Sequence, residues 1–419
     1  MKILALTNLY PPDVIGGYEI ACGHIVDFLR GRGHDVRVLS GAPRQPVATA
    51  DHVWRRFQLT DVWNPYAMGF GHGTRMLREA ESRYFNAHNV HVLLSALEEF
   101  QPDVLYACSL IGLGGLGLLG AIQFLDQPWV WQLGDAVPKY LCSQPNGLIP
   151  PLAKLFGDSL SGSFIVVSRR LADEIESHGI RLNGPSEIIP NWIVGSRPAP
   201  RREYFRSGRL RVLNAGQISG HKGIDCLLEA VAILKRDGVD LDLDLFGPTD
   251  PRFDSVLRKL DLNDRVRLMG IRSQSEIFAK YSEYDVFAFP TESREPFGMA
   301  PLEAAARGCV PIIARECGIA EYMVHGVHCL KADRTPASFA AALGDVARGR
   351  VGLEPIGRRG EAFAWREFHI DVVAPRIERR LLEAASRSRR PLGGFDDARR
   401  MARMAEHLTH MIVQEGLVA

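Results

Sequence analysis

The chain has 419 residues, with 50 Lys and Arg against 49 Asp and Glu, for a formal net charge of +1. Its 46% hydrophobic, 24% charged and 8% aromatic content excludes disorder, a collagen-like repeat and a coiled coil. The length implies two or three domains, and the near-zero charge argues against wrapping nucleic acid, so a small partner is expected.

In chain order, Lys2–Leu6 is apolar and meets Pro11-Pro12 with no cleavage-site pattern, which reads as a buried strand rather than a signal peptide. Glu19–Arg32 carries Ile20, Ile25, Phe28 and Leu29 toward one face, with Gly33 at the stop position, and Val36–Leu39 follows as a strand. Strand, helix, strand at this spacing is a βαβ unit of a parallel sheet. Residues 73–100 hold a long amphipathic pattern with Met76, Leu77, Phe85, Val92, Leu93 and Leu97. From Val104 to Leu125 no residue is charged, but five glycines argue for a buried strand, a glycine loop and a short packed helix over a membrane span. Trp129–Leu133 and Phe164–Val167 are further strands. Residues 190–210, rich in Pro and Arg and without periodicity, read as a linker. Alternation then restarts with strands at Val212–Ala215, Leu241–Phe246, Val266–Met269, Val286–Phe289 and Val310–Ile313. The intervening helices are Gly223–Arg236, Asp254–Leu260, Ser275–Tyr281 and Met299–Arg307.

Cys22, Cys108, Cys142, Cys226, Cys309, Cys317 and Cys329 are scattered, odd in number and never in a CxxC pair. That pattern argues against a disulfide framework and structural zinc, and favours a reducing, cytoplasmic compartment.

The most informative segment is Pro290–Arg315, PTESREPFGMAPLEAAARGCVPIIAR. A strand ends at Pro290, and a loop carrying Glu292 and Glu295 leads through Pro296-Phe297-Gly298 into a helix bearing Glu303. Backbone N–H groups of Phe297, Gly298, Met299 and Ala300 would leave that helix N-terminus as an anion site fit for a diphosphate. Two carboxylates eight residues apart can accept hydrogen bonds from two hydroxyl-bearing parts of one ligand. Taken alone, Glu295 fits an N-terminal helix charge and Glu303 a solvated one equally well, although Leu302, Ala304, Ala305 and Ala306 around Glu303 point to partial burial.

The same residues resemble the Glu-x7-Glu signature of the retaining nucleotide-sugar glycosyltransferases, family 4 of the GT-B fold. NLYPPDVIGGYEI resembles that family's N-terminal glycine loop, LNAGQISGHKGIDCLLEAV the first strand and helix of its C-terminal domain, and ECGIAEYMVHGVHCL the segment after the signature. The resemblance covers most of the chain. It implies an α/β architecture of two Rossmann-like doubly wound domains facing a central cleft. Residues 1–195 would form an acceptor-binding domain, 208–362 a nucleotide-sugar-binding domain, and 363–419 helices crossing back to the first.

By that resemblance, Glu303 would bind the ribose hydroxyls and Glu295 the donor sugar near its anomeric carbon. Phe297, Gly298, Met299 and Ala300 would offer backbone donors to sugar and diphosphate. Lys222 would neutralise the leaving diphosphate, and Gly16 and Gly17 would let the first domain approach the same phosphates. Two positions depart from the pattern. Gly216 is followed by Gln217 where the family has Arg, and Gly134-Asp135 replaces a His-Asp pair, leaving Asp135 as the remaining candidate there.

Other signals weigh less. Gly112-x-Gly114-x-x-Gly117 imitates a dinucleotide fingerprint but lacks the acidic residue after a second strand. Asp240, Asp242 and Asp244 imitate a metal-binding Asp-x-Asp, yet their alternation with leucines reads as the solvent face of an edge strand. The histidines show no ligand spacing, so no metal is expected, and His221 beside Lys222 reads as a loop residue. Trp54, Phe57, Trp63, Tyr66 and Phe70, in a loop-like stretch, fit an acceptor platform or a core plug equally. Nine Arg against four acidic residues from Arg376 to Arg403 read first as a solvated helix face, and second as peripheral contact with an anionic membrane.

The expectation is a metal-independent, cofactor-free retaining enzyme moving a sugar from a UDP- or GDP-sugar to a hydroxyl acceptor, with no nucleic-acid partner. The alternatives are a nucleotide-sugar epimerase on the same fold, or a nucleotide-sugar-binding protein with impaired catalysis.

Overall fold

Strands buried on both faces of a parallel sheet read as unbroken apolar runs, and the computed structural model arranges these runs into two such sheets. It describes residues 1–14, 16–43, 50–60, 81–142, 161–199, 201, 203–291 and 294–386. The chain divides into two compact units. Met1–Val167, Leu171–Ile189 and the chain from Ala374 on form the first, and Ser168–Arg170 with Pro190–Val373 form the second.

The first unit holds β1 (Lys2–Leu6), β2 (Asp35–Gly41), β3 (Val53–Phe57), β4 (Val104–Ala107), β5 (Trp129–Leu133), β6 (Ser163–Val166) and β7 (Ser186–Ile188). They pair in parallel in the order β3-β2-β1-β4-β5-β6-β7. The first helix, Gly17–Gly31, opens with the Glu19 carboxylate accepting the Gly16 N–H at 2.8 Å. Within the 73–100 pattern, residues up to 80, including Met76 and Leu77, lie outside the described residues. The helix proper is Ala87–Phe100, because Asn86 caps it by accepting the Asn89 N–H. The uncharged stretch is β4, a turn and the helix Gly115–Phe124. Among the described residues, no helix is long and apolar enough to cross a membrane.

The second unit holds β8 (Leu210–Ala215), β9 (Leu241–Phe246), β10 (Val266–Gly270), β11 (Val286–Phe289), β12 (Val310–Ala314) and β13 (Leu330–Ala332), in the order β10-β9-β8-β11-β12-β13. Val212, Leu243, Val286 and Ile312 fill its centre, with Leu228, Val231, Phe339 and Leu343 packed over them from helices. Each such side chain contributes roughly 1.5–3 kcal/mol on burial. In both sheets the direction of winding reverses beside the first strand, between β1 and β4 and between β8 and β11. Those reversals are where open α/β sheets bind ligands.

Three expectations need correction. β9 lies between β8 and β10, so the Asp240–Asp244 strand is not an edge. Asp244 is buried, held by Arg267 at 2.6 Å and by the Tyr284 hydroxyl at 2.5 Å, and Asp242 pairs with Arg209. Trp54 and Phe57 sit on β3 rather than in a loop. Phe57 is buried in the core, and Trp54 packs on Phe100 with the Arg56 guanidinium 4.4 Å from its ring. Trp63, Tyr66 and Phe70 lie outside the described residues. Finally, the helix Leu353–Phe368 stays with the second unit, because Trp365 donates to the Ala306 carbonyl at 2.9 Å and Phe368 packs on Phe297. The return to the first unit therefore falls at Ala374 rather than at residue 363.

All seven cysteines are free thiols, six buried and Cys226 half-buried. Of the basic run, Arg376 and Arg379 pair with Glu187, and Arg380 with Glu383, so these arginines are engaged within the first unit rather than simply solvated. The remaining six arginines of that run, from Arg387 on, lie outside the described residues.

Candidate active site

The second unit gathers the candidate residues at its sheet reversal. β8 runs out into Gly216-Gln217, both exposed, and the 3-10 turn Gly220–Lys222 leads into the helix Ile224–Arg236. Gly223 joins turn and helix at φ +74°, and a Cβ there would fall 2.0 Å from the Pro290 carbonyl oxygen at the end of β11. Only glycine lets the two strand ends approach this closely. That approach carries Lys222 to the loop after β11, where its Nζ meets Glu295 Oε2 at 2.8 Å. Thr291 adds a weaker hydroxyl contact to the same oxygen at 3.4 Å. Glu292 lies outside the described residues.

The loop from Glu295 to Gly298 is pinned from below by its neighbour. Gly318 N–H donates to the Glu295 carbonyl at 2.9 Å, and Ile319 N–H to the Phe297 carbonyl at 2.6 Å. The Phe297 ring is buried against Tyr322 and Phe368. Its side chain therefore anchors the loop, and its backbone stands just ahead of the helix that follows. The helix Met299–Ala306 begins there, and the first N–H groups of a helix lack intrahelical partners, which makes the end attractive to anions.

Glu303 lies on that helix and is buried. Gln274 Nε2 donates to its Oε1 at 2.8 Å, and the Tyr281 hydroxyl approaches Oε2 at 3.5 Å. Burial raises its carboxyl to about 6, against the pull of those two hydrogen bonds. Among the described residues no cation pairs with it. A buried carboxylate held only by neutral partners has acceptor capacity left for donors from outside.

The sequence points to Glu295, Glu303 and Lys222, and the structure sets Gln274, Tyr281 and Thr291, which the sequence did not single out, against the two carboxylates. Tyr281 ends the helix expected at Ser275–Tyr281 and Gln274 stands just before it, which was the signal the sequence offered for these two. His221 turns to Ser219, with Nδ1 3.1 Å from the hydroxyl. Gly16, Gly17 and Asp135 belong to the first unit. There the Gly134 and Asp135 N–H groups donate to the Tyr18 hydroxyl, and Asp135 Oδ1 accepts the Ala136 N–H. Among the described residues, no group of three His, Cys, Asp or Glu side chains is placed to hold a metal ion.

Residues 15–196 match the model of Glycosyltransferase Family 4, and residues 197–355 match that of Glycosyl transferases group 1. The chain is 25% identical over 410 residues to a glycogen synthase of Mycobacterium tuberculosis, covering 93% of this chain and 97% of that one. Among solved structures it is similar to sucrose-phosphate synthase from Thermosynechococcus elongatus, with a TM-score of 0.67 at 16% identity over 92% of this chain and 100% of that one. It is also similar to Anabaena HepE in complex with UDP-glucose, with a TM-score of 0.63 at 18% identity over 91% and 100%.

Proposed function

Because the chain belongs to the GT-B glycosyltransferases, we propose that it is a retaining, metal-independent enzyme moving a sugar from a nucleoside diphosphate to a hydroxyl acceptor. The observation that carries the donor assignment is Glu303. An uncompensated buried carboxylate beside a sheet reversal is costly to keep, and ribose hydroxyls are donors that would repay its burial. The complex of Anabaena HepE with UDP-glucose supports a uridine nucleotide as the first donor to test.

In this reading the second unit holds the donor and the first the acceptor. Lys222 leaves Glu295 for the diphosphate, and Glu295 turns to the sugar hydroxyls. As the bond from the anomeric carbon to the phosphate oxygen breaks, negative charge grows on the diphosphate. Lys222 and the backbone N–H groups from Phe297 to Ala300 stabilise that charge. The acceptor oxygen bonds to the anomeric carbon from the same face, and its proton passes to the departing phosphate, so no protein nucleophile and no metal enter the balance. The seven free thiols fit a reducing, cytoplasmic setting.

The experiment is a thermal-shift screen over nucleoside diphosphates, followed by NMR of the product formed from the matching sugar donor. Binding should raise stability by about 2.7 kcal/mol at a hundredfold excess over Kd. An inverted anomer would remove the retaining assignment, and no shift with any nucleotide would remove the donor assignment.

A further inference from the structure

Residue 134 of the first unit is a glycine, and a Cβ there would crowd Tyr18. Tyr18, in the first turn of the helix that follows β1, reaches the loop after β5, where its hydroxyl oxygen accepts the Gly134 and Asp135 N–H groups at 2.5 Å each. A Cβ on Gly134 would lie 3.2 Å from the ring carbon bearing the hydroxyl and 3.4 Å from the oxygen itself. These are the nearest obstacles to a side chain there, so glycine at 134 and the phenol of Tyr18 are two halves of one arrangement.

The hydrogen-bond count fixes what that hydroxyl can do. A phenol carries one proton and two acceptor sites. Both acceptor sites are taken by backbone N–H groups, and among the described residues nothing accepts the proton. Burial, with the nearby Asp135 charge, holds the phenol far above its ordinary pKa, so it stays protonated. Two N–H groups pulling on the oxygen sharpen the O–H as a donor. It stands at the carboxyl edge of the sheet, on the first turn behind Gly16-Gly17 and beside the β1–β4 reversal where ligands of such sheets are held.

We propose that Tyr18 is the substrate-contacting residue of the first unit, its hydroxyl donating to a hydroxyl oxygen of the carbohydrate substrate from the place a histidine at 134 would occupy. The proposal rests on the glycosyltransferase reading above. Unlike an imidazole, a phenol with both acceptor sites occupied cannot take up a proton. Tyr18 therefore orients its partner and does not serve as a base, and removal of the acceptor proton remains with the phosphate.

The test uses the full chain, with kcat and KM for sugar transfer and the UDP-induced shift in melting temperature as readouts. Tyr18→Phe should lower kcat by about three- to tenfold, the worth of one neutral hydrogen bond in the transition state, with the UDP shift unchanged. Gly134→His alone should also slow transfer, because its Cβ would press on the phenol and shift the hydroxyl off its two N–H donors. Tyr18→Ala should be slow, and Tyr18→Ala combined with Gly134→His should regain most of that loss, since the imidazole enters vacated space. A Tyr18→Phe kcat within twofold of wild type, or a double variant no faster than Tyr18→Ala, overturns the proposal while the enzyme reading stands. A wild-type chain that transfers no sugar from any donor overturns the enzyme reading, and the role of Tyr18 falls with it.

Discussion

Lys222 and Glu295, 73 residues apart in the chain, meet in an ion pair of 2.8 Å at the reversal of the second sheet. Their side chains are 36% and 13% exposed, so the pair is partly shielded from water and its two charges are largely committed to each other. Any anion that binds beside them competes with Glu295 for the lysine. The two groups should therefore affect nucleotide affinity with opposite signs when mutated, although both are expected to matter for turnover.

Lys222→Ala should lower turnover by about 10²–10³, the loss on removing one donor to developing negative charge, with a smaller effect on UDP affinity. Glu295→Gln should also cut turnover but leave UDP affinity unchanged or up to about fivefold tighter, since a partly exposed pair is worth about 0.2–1 kcal/mol. Steady-state kinetics and UDP titration of both variants check this. A Glu295→Gln chain that binds UDP more weakly would show that the pair is scaffolding.

Glu303 ties binding to pH. Burial raises its carboxyl from 4.5 in the unfolded chain to about 6, so between those values the folded state holds the proton and the unfolded state does not. The stabilisation is complete below about pH 4.5 and is lost as pH rises through about 6. At pH 8 the ionised group costs on the order of 2 kcal/mol. Glu303→Gln should accordingly stabilise the ligand-free chain by about 1–2 kcal/mol at pH 8, change it little at pH 4.5, and weaken UDP binding by about 1.5–3 kcal/mol. Thermal unfolding at both pH values, with and without UDP, reads all three. Full UDP affinity in the variant would take Glu303 out of the site.

Chelation should leave turnover intact. Asp244 is bound to Arg267 and Tyr284, and Asp242 to Arg209, so neither is placed to receive an ion. Assays in EDTA check this, and activity abolished by EDTA and restored by manganese would sink the metal-independent mechanism.

Gln217→Arg should keep or raise turnover. The side chain is exposed behind Gly216, so the substitution is expected to stay within about 0.5 kcal/mol of wild-type stability. It supplies a second cation at the end of β8. The cleanest comparison is Lys222→Ala with and without Gln217→Arg: a partial return of kcat in the double variant is expected, and a further loss would place Gln217 away from the phosphates.

Legibility from sequence followed burial. Val104–Ala107, Trp129–Leu133, Leu241–Phe246 and Val286–Phe289 have the same bounds in sequence and structure because each is enclosed on both faces and reads as a mainly apolar run, interrupted by Gln132 in β5 and by Asp242 and Asp244 in β9. β3 escaped because VWRRF is half polar at the sheet's edge, and β7 and β13 because three residues carry no period. Asp244 was misread since alternation reports which side chains share a face, not whether water covers it. Arg267 and Tyr284 on neighbouring segments make that face an interior one. Glu295, Lys222 and Glu303 stood in recognisable runs. Gln274 and Tyr281 did not, as their meeting with Glu303 depends on how two short helices pack. Tyr18 was invisible for a related reason: the residue that reveals it is a glycine 116 positions away.

The distribution of thiols makes the chain its own stability reporter. Six cysteines are buried, and Cys226, in the first turn of the helix behind Lys222, is half-buried with its thiol pushed up to about 11. Thiolates are the reactive form, so alkylating reagents should consume the native chain slowly and the unfolded chain fast. Labelling then proceeds at the pace of opening, and a sugar nucleotide that binds only the closed form should slow it in proportion to occupancy. Counting alkylated cysteines by mass spectrometry against ligand concentration would rank donors without a catalytic assay, and even before an acceptor is known.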